Sequence, residues 1–233
     1  MSMINIFRNE QSLSEANKGE IKDAIKRLFT LSTNDYGYYL FLVLSVIITT
    51  AGLMVKSAPV IIGGMIIAPI LTPMLACGLA VFLLEFKGFV HALTIVLISV
   101  VIAFVLSSAM TFTVMFIEPE AAVFEYSQAL VSPGLYILIA FSAGIAGAFA
   151  FVKSHLSSSI SGVAVSASLM PPLCSIGIGA VLKNDVLVRD SLTIFLLNVF
   201  GIVLASAVVF WILGFWKERK FEEKTAEKVN DKD

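Results

Sequence analysis

Six apolar stretches, each bracketed by charged or turn-forming residues, dominate the chain: Tyr38 to Val55, Ala58 to Leu84, Ala92 to Ile117, Leu135 to Val152, Ser157 to Leu182 and Leu192 to Trp216. Each is near or above the ~20 residues that a helix needs to cross the hydrocarbon of a bilayer. Inside lipid every backbone polar group must be satisfied within the protein, so runs of this length fold as helices. A hydrophobic fraction of 58% against 14% charged, with a mean hydropathy of +0.93, removes the water-soluble globular alternative. The expected class is an all-α, polytopic membrane protein whose first partner is the lipid bilayer.

Charge and ligand-forming residues narrow the function. The net charge of -1 offers no basic face for phosphates, which excludes nucleic acid as a partner. Two cysteines and two histidines supply neither a disulfide framework nor a clustered ligand set, so no metal and no cofactor are expected. No acid, base and nucleophile occur at catalytic spacing, and the chain is read as a non-enzyme.

The first 37 residues carry Arg8, Lys18, Lys22, Lys26 and Arg27 and lack the apolar core of a secretory signal, so cleavage is not expected. Ser12 and Glu15 have capping-box spacing, and Ile21, Ile25, Leu28 and Phe29 recur at helical intervals. This segment, 1–37, reads as a cytoplasmic amphipathic helix, lying on the membrane surface or packed on the protein's own cytoplasmic face. The tail, 217–233, alternates Lys, Glu and Asp and reads as a charged cytoplasmic extension.

Prolines and glycines punctuate the second and fifth stretches, which therefore cross as broken helices or re-enter on the same side, giving six spans or four. With six spans and the N-terminus inside, thirteen of the sixteen basic residues are cytoplasmic, and only Lys56, Lys183 and Arg189 lie outside. With four, the split is eleven to five. The positive-inside rule favours six, with both termini cytoplasmic and an acidic external loop at 119–133.

Sliding the chain against itself reveals a repeat of about a hundred residues. At an offset of 97, Tyr39, Ser45, Ile48, Ala51, Val55, Lys56 and Ser57 coincide with Tyr136, Ser142, Ile145, Ala148, Val152, Lys153 and Ser154. At 98, Gly64, Leu71, Pro73 and Leu75 fall on Gly162, Leu169, Pro171 and Leu173. At 99, Leu93-Thr94-Ile95 falls on Leu192-Thr193-Ile194, and Ser107 on Ser206. Three spans per copy reverse the second copy in the membrane, so 38–118 and 134–216 are expected to form two inverted three-helix repeats, each with a proline-broken second helix.

The run VIIGGMIIAPILTPM from Val60 to Met74, with SASLMPPL from Ser166 to Leu173, resembles the bacterial and archaeal hydrophobic proteins grouped as domain of unknown function 389. The resemblance covers about Tyr38 to Trp216. It implies a multi-pass protein of the inner (plasma) membrane and brings no catalytic residues with it.

Each intrahelical proline removes a donor and frees the carbonyl one turn earlier, which lipid cannot satisfy. Pro69 and Pro73, beside Thr72, and Pro171 and Pro172, near Ser166 and Ser168, are therefore expected to face an ion, water or protein; kinks that only shape packing are the alternative. No Asp, Glu, Lys or Arg lies well inside a stretch, which disfavours a proton pump built on a buried carboxylate. Asn198 and its repeat mate Ser99 complete the expected lining of a substrate or ion pathway, although an Asn between helices serves equally as packing glue. Small residues at Ala140, Gly144 and Ala148, and at Gly201 and Ala205, mark close helix contacts within or between subunits.

The leading expectation is a transporter or channel for a small solute or ion, with its site between the two broken helices. Its three-plus-three layout is similar to that of formate/nitrite-type channels, an analogy of architecture that also suggests a homo-oligomer. The alternative is a membrane scaffold or assembly factor that uses its charged ends.

Overall fold

The computed structural model describes residues 36–117, 132–152 and 158–215, the side chains of 158–168 excepted. The expected N-terminal amphipathic helix, most of the acidic loop and the charged tail lie outside the described residues.

The described chain forms seven helices in sequence: α1 (Tyr36–Met54), α2 (Ala58–Ile67), α3 (Leu71–Leu83), α4 (Phe86–Ile117), α5 (Pro133–Val152), α6 (Ser158–Val181) and α7 (Asp185–Ile212). Four of them, α1, α4, α5 and α7, are long and apolar enough to cross a bilayer, and α2 with α3 makes a fifth if the bent pair is one span. Among the described residues, α6 enters this reckoning only through its apolar part, Leu169–Val181.

Helix α4 places its larger apolar side chains mostly outward. On α4, Ala92, Ser99, Ala103, Ser107 and Thr111 face inward at helical spacing, while Leu97, Val101, Phe104, Val105 and Phe112 face outward. Large apolar side chains lose nothing by facing hydrocarbon, whereas small residues and hydroxyls let neighbouring backbones approach.

Among the described residues four turns close alike, each on a residue of positive φ. Lys56 follows α1, with Ser57 N–H donating to the Gly52 carbonyl at 2.9 Å, and Gly214 follows α7, with Phe215 N–H donating to the Phe210 carbonyl at 3.2 Å. Leu84 takes a left-handed conformation after α3, with Glu85 N–H donating to the Ala80 carbonyl at 3.0 Å and Leu84 N–H to Val81 at 3.2 Å. Lys183 does the same after α6, with Asn184 N–H donating to Gly179 at 2.9 Å and Lys183 N–H to Ala180 at 3.4 Å. All four are Schellman closures, and the positions of Leu84 and Lys183 differ by the repeat offset of 99. Asn184 then caps α7, accepting from Leu187 N–H at 3.0 Å.

The two proline-rich segments differ. Between α2 and α3 the chain bends by 55°. Ala68 precedes a proline and adopts an extended ψ of 121°, because the proline ring excludes the helical region at the residue before it. In the second copy α6 runs unbroken with Pro171 and Pro172 inside it, which corrects the expectation of a broken helix in each repeat. The breaking residue is Pro69, whose repeat mate is Ala167, with its N–H intact. Pro73, whose mate is Pro171, sits in the first turn of α3, where a missing donor costs nothing.

Candidate functional site

The break is positioned by α1. Ser45, buried on that helix, donates its hydroxyl to the Gly64 carbonyl at 2.7 Å. That carbonyl would accept from residue 68 in a continuous helix, but Ala68 N–H turns instead to the Met65 carbonyl at 3.3 Å. The carbonyl expected to be freed by Pro69 is thus partly satisfied by a tightened last turn. Gly64 makes this approach possible, since a Cβ there would overlap the Thr49 hydroxyl and lie 3.1 Å from the Ser45 carbonyl oxygen.

Pro69 is half-buried in the break, Thr72 is half-buried in the first turn of α3, and Pro73 is buried. No side chain caps the N-terminus of α3. Helix α2 packs against α6, which carries Pro171 and Pro172, both buried. The backbone of Ser166 and Ser168 belongs to α6, and their side chains lie outside the described residues.

Ser99 does not join this group. Its hydroxyl donates to the Ile95 carbonyl at 2.8 Å and meets the Tyr38 hydroxyl at 2.8 Å, so it ties α4 to α1. Asn198 is buried on α7, 1% exposed.

Two crossings link the copies. A Cβ on Gly78 of α3 would overlap the Ser206 Oγ of α7 and lie 2.9 Å from the Val203 carbonyl oxygen. A Cβ on Gly177 of α6 would overlap the Ser107 Oγ of α4 and lie 2.9 Å from the Phe104 carbonyl oxygen. Every member of the second contact is related to the first by the offset of 99. The serines behave alike, Ser107 donating to Phe104 at 3.2 Å and Ser206 to Val203 at 2.9 Å. The small-residue seam is packing: Gly144 abuts Ala205 and Ile202, and Gly201 abuts Ala140.

Sequence reasoning missed the consecutive pair Thr49 and Thr50. Both are fully buried in α1, and neither hydroxyl finds a hydrogen-bond partner. Thr50 faces the Cys174 thiol without reaching bonding geometry. Ser175 on α6 is likewise buried and unpartnered. Two adjacent hydroxyls in the middle of an apolar span are a legible signal, although the residues at the offset of 97 are Ala146 and Gly147.

A groove of about 300 Å³ lined by Ile47, Leu106, Ala109, Met110, Thr113 and Val114 opens between α1 and α4. Its walls are apolar, and it includes none of the expected pathway residues. Among the described residues no group of three or more His, Cys, Asp or Glu side chains is placed to hold a metal.

Residues 65–204 match the family described as a domain of unknown function, DUF389. An uncharacterized protein of Methanocaldococcus jannaschii, MJ0678, is 29% identical over 193 residues, which cover 81% of this chain and 58% of that relative. The chain therefore matches little more than half the length of this relative. No solved structure matches. With more than half of its residues in the family match and the proline-rich segments of both copies inside it, the chain belongs to the DUF389 family.

Proposed function

We propose that the protein is a six-span transporter or channel for a small solute or ion, built as two inverted repeats, with its site beside the break between α2 and α3. The observation that carries this reading is the reciprocal crossing of Gly78 on Ser206 and Gly177 on Ser107. Contacts that return under one offset are what a pseudo-two-fold axis between copies produces. At 24 residues α6 is about 36 Å long, enough for a sixth span. In this reading α2 and α3, bent by 55°, count as one crossing rather than as a re-entrant loop. Each copy then has three spans, and an odd number inverts the second copy.

In this reading Thr72, Pro69, Pro73, Pro171, Pro172, Ser166, Ser168 and Asn198 line the pathway, while Ser99 acts as a tie between helices. Selectivity comes from hydroxyls and carbonyls, because no ionisable side chain lies deep in a span. The protein carries out no covalent chemistry, sits in the inner (plasma) membrane with both termini cytoplasmic, and assembles as a homo-oligomer.

A scaffold without transport is favoured by one observation, the unbroken course of α6 through its buried prolines. Reconstitution separates the two. Vesicles containing the protein are challenged with gradients of sodium chloride, potassium chloride, sodium formate and glycerol, and volume recovery is followed by light scattering. Transport predicts accelerated recovery for at least one solute, altered by Thr72→Ala or Asn198→Ala with oligomeric mass unchanged. Recovery equal to that of empty vesicles for every solute, with loss of cellular function on deleting residues 1–30 or 217–233, would overturn it in favour of the scaffold.

A further inference from the structure

We propose that the last turn of α2 and the Thr49–Thr50 face of α1, closed by α6, form a binding site for an alkali-metal cation. Binding is inferred from the geometry below; the ion's use in transport rests on the preceding reading.

Hydroxyls on a membrane helix ordinarily bond back to their own backbone. Thr94, Ser99, Thr111, Thr113 and Thr193 each donate to the carbonyl four residues earlier, at 2.7 to 2.8 Å. Thr49 and Thr50 do not. They are wholly buried, and a hydroxyl left unmade away from water is costly, so a ligand is the expected resident.

The second observation is the end of α2. The Thr49 hydroxyl occupies the space over Gly64, in the last turn of a helix that stops within the apolar stretch. Ser45 takes the Gly64 carbonyl and Ala68 takes that of Met65, but the Ile66 and Ile67 carbonyls receive no bond from Ile70 or Leu71. The C-terminus of a half-helix carries partial negative charge, and interrupted helices use such ends with nearby hydroxyls to hold cations. Thr50, the next residue, lies beside the Cys174 thiol and so turns its hydroxyl toward α6.

The charge of the ion follows from the ligands. Helices α1, α2 and α6 contain no Asp or Glu, and a divalent cation binds through carboxylates that this site lacks. Neutral oxygens suit a monovalent ion. The amide end of α3 across the break has the opposite sign and belongs to no part of this site.

The test is thermal unfolding of the purified full-length protein in sodium, potassium or choline chloride at equal concentration, so that chloride and ionic strength stay fixed. An alkali ion near ten times its Kd raises Tm by on the order of 3 °C over choline. Thr49→Val, which removes only the hydroxyl, abolishes that increment; Thr49→Ser keeps it; Thr113→Val, on an exposed and back-bonded hydroxyl, leaves it untouched. Equal Tm in all three salts overturns the proposal, as does an increment that survives Thr49→Val. A cation-dependent Tm without flux in the vesicle assay overturns transport and leaves the site standing, whereas flux without any cation-dependent Tm overturns the site alone.

Discussion

Gly78 of α3 packs so closely on Ser206 of α7 that a Cβ would overlap the serine oxygen, and the same contact recurs between Gly177 and Ser107. In each copy the second segment reaches across to the third helix of the other copy.

Gly78→Ala and Gly177→Ala are expected to destabilise by similar amounts, about 1–3 kcal/mol, because each methyl group meets a backbone oxygen that cannot turn aside. Ser206→Gly relieves only part of the Gly78→Ala defect, since the Val203 carbonyl remains 2.9 Å from the new Cβ. Thermal unfolding in detergent reads both effects. A strongly unequal pair would argue against equivalent crossings.

Pro69→Ala is expected to straighten the α2–α3 junction, as Ala167 does in α6. Spin labels at Val60 and Val81, with Cys77 and Cys174 replaced by alanine, would move apart by about 3 Å as the 55° bend is lost. Pro73→Ala should leave that distance unchanged, because Pro73 lies in a first turn that already tolerates proline. If instead Pro73→Ala lengthens it, the break has been assigned to the wrong proline.

Ser45→Ala should cost about 1 kcal/mol, since it strips the Gly64 carbonyl of a partner inside the protein. Tyr38→Phe should cost about half as much, because Ser99 retains its bond to the Ile95 carbonyl. Equilibrium unfolding of the two variants ranks them, and the reverse order would mean that the break does not depend on α1.

Cys77 and Cys174 are 2% and 0% exposed and should resist a small water-soluble thiol reagent in membranes until the protein is denatured. Labelling of Cys174 that appears only under a solute gradient would reveal water entering beside Thr50. Prompt labelling of both without a gradient would contradict the buried junction.

Much of this architecture was legible in the residues. The apolar stretches foretold the helix boundaries to within a few residues, except where polar first turns extend α4 back to Phe86 and α7 back to Asp185. The offset of 99 that aligns Ser107 with Ser206 in the sequence also relates Leu84 to Lys183 and Gly78 to Gly177, which only the structure showed to be turns and contacts. The repeat alignment misled at the prolines: Pro73 and Pro171 align, but the chain breaks at Pro69, whose mate is Ala167, while α6 carries Pro171 and Pro172 in its interior without a break. Nor did the residues foresee the tyrosine hydroxyl that reaches Ser99 from α1.

By itself the sequence determined the apolar surroundings and the helical class, since these follow from the length of the apolar runs and need no knowledge of what touches what. Tertiary structure alone decided which hydroxyls are used up and which are left over. Ser45 is spent on the Gly64 carbonyl of α2, and Ser99, Ser107 and Ser206 on carbonyls of their own helices, whereas Thr49 and Thr50 are buried in α1 unpartnered. The reason is physical: a hydroxyl's chemistry depends on whether a partner lies within about 3 Å, and at that range only the packed helices choose.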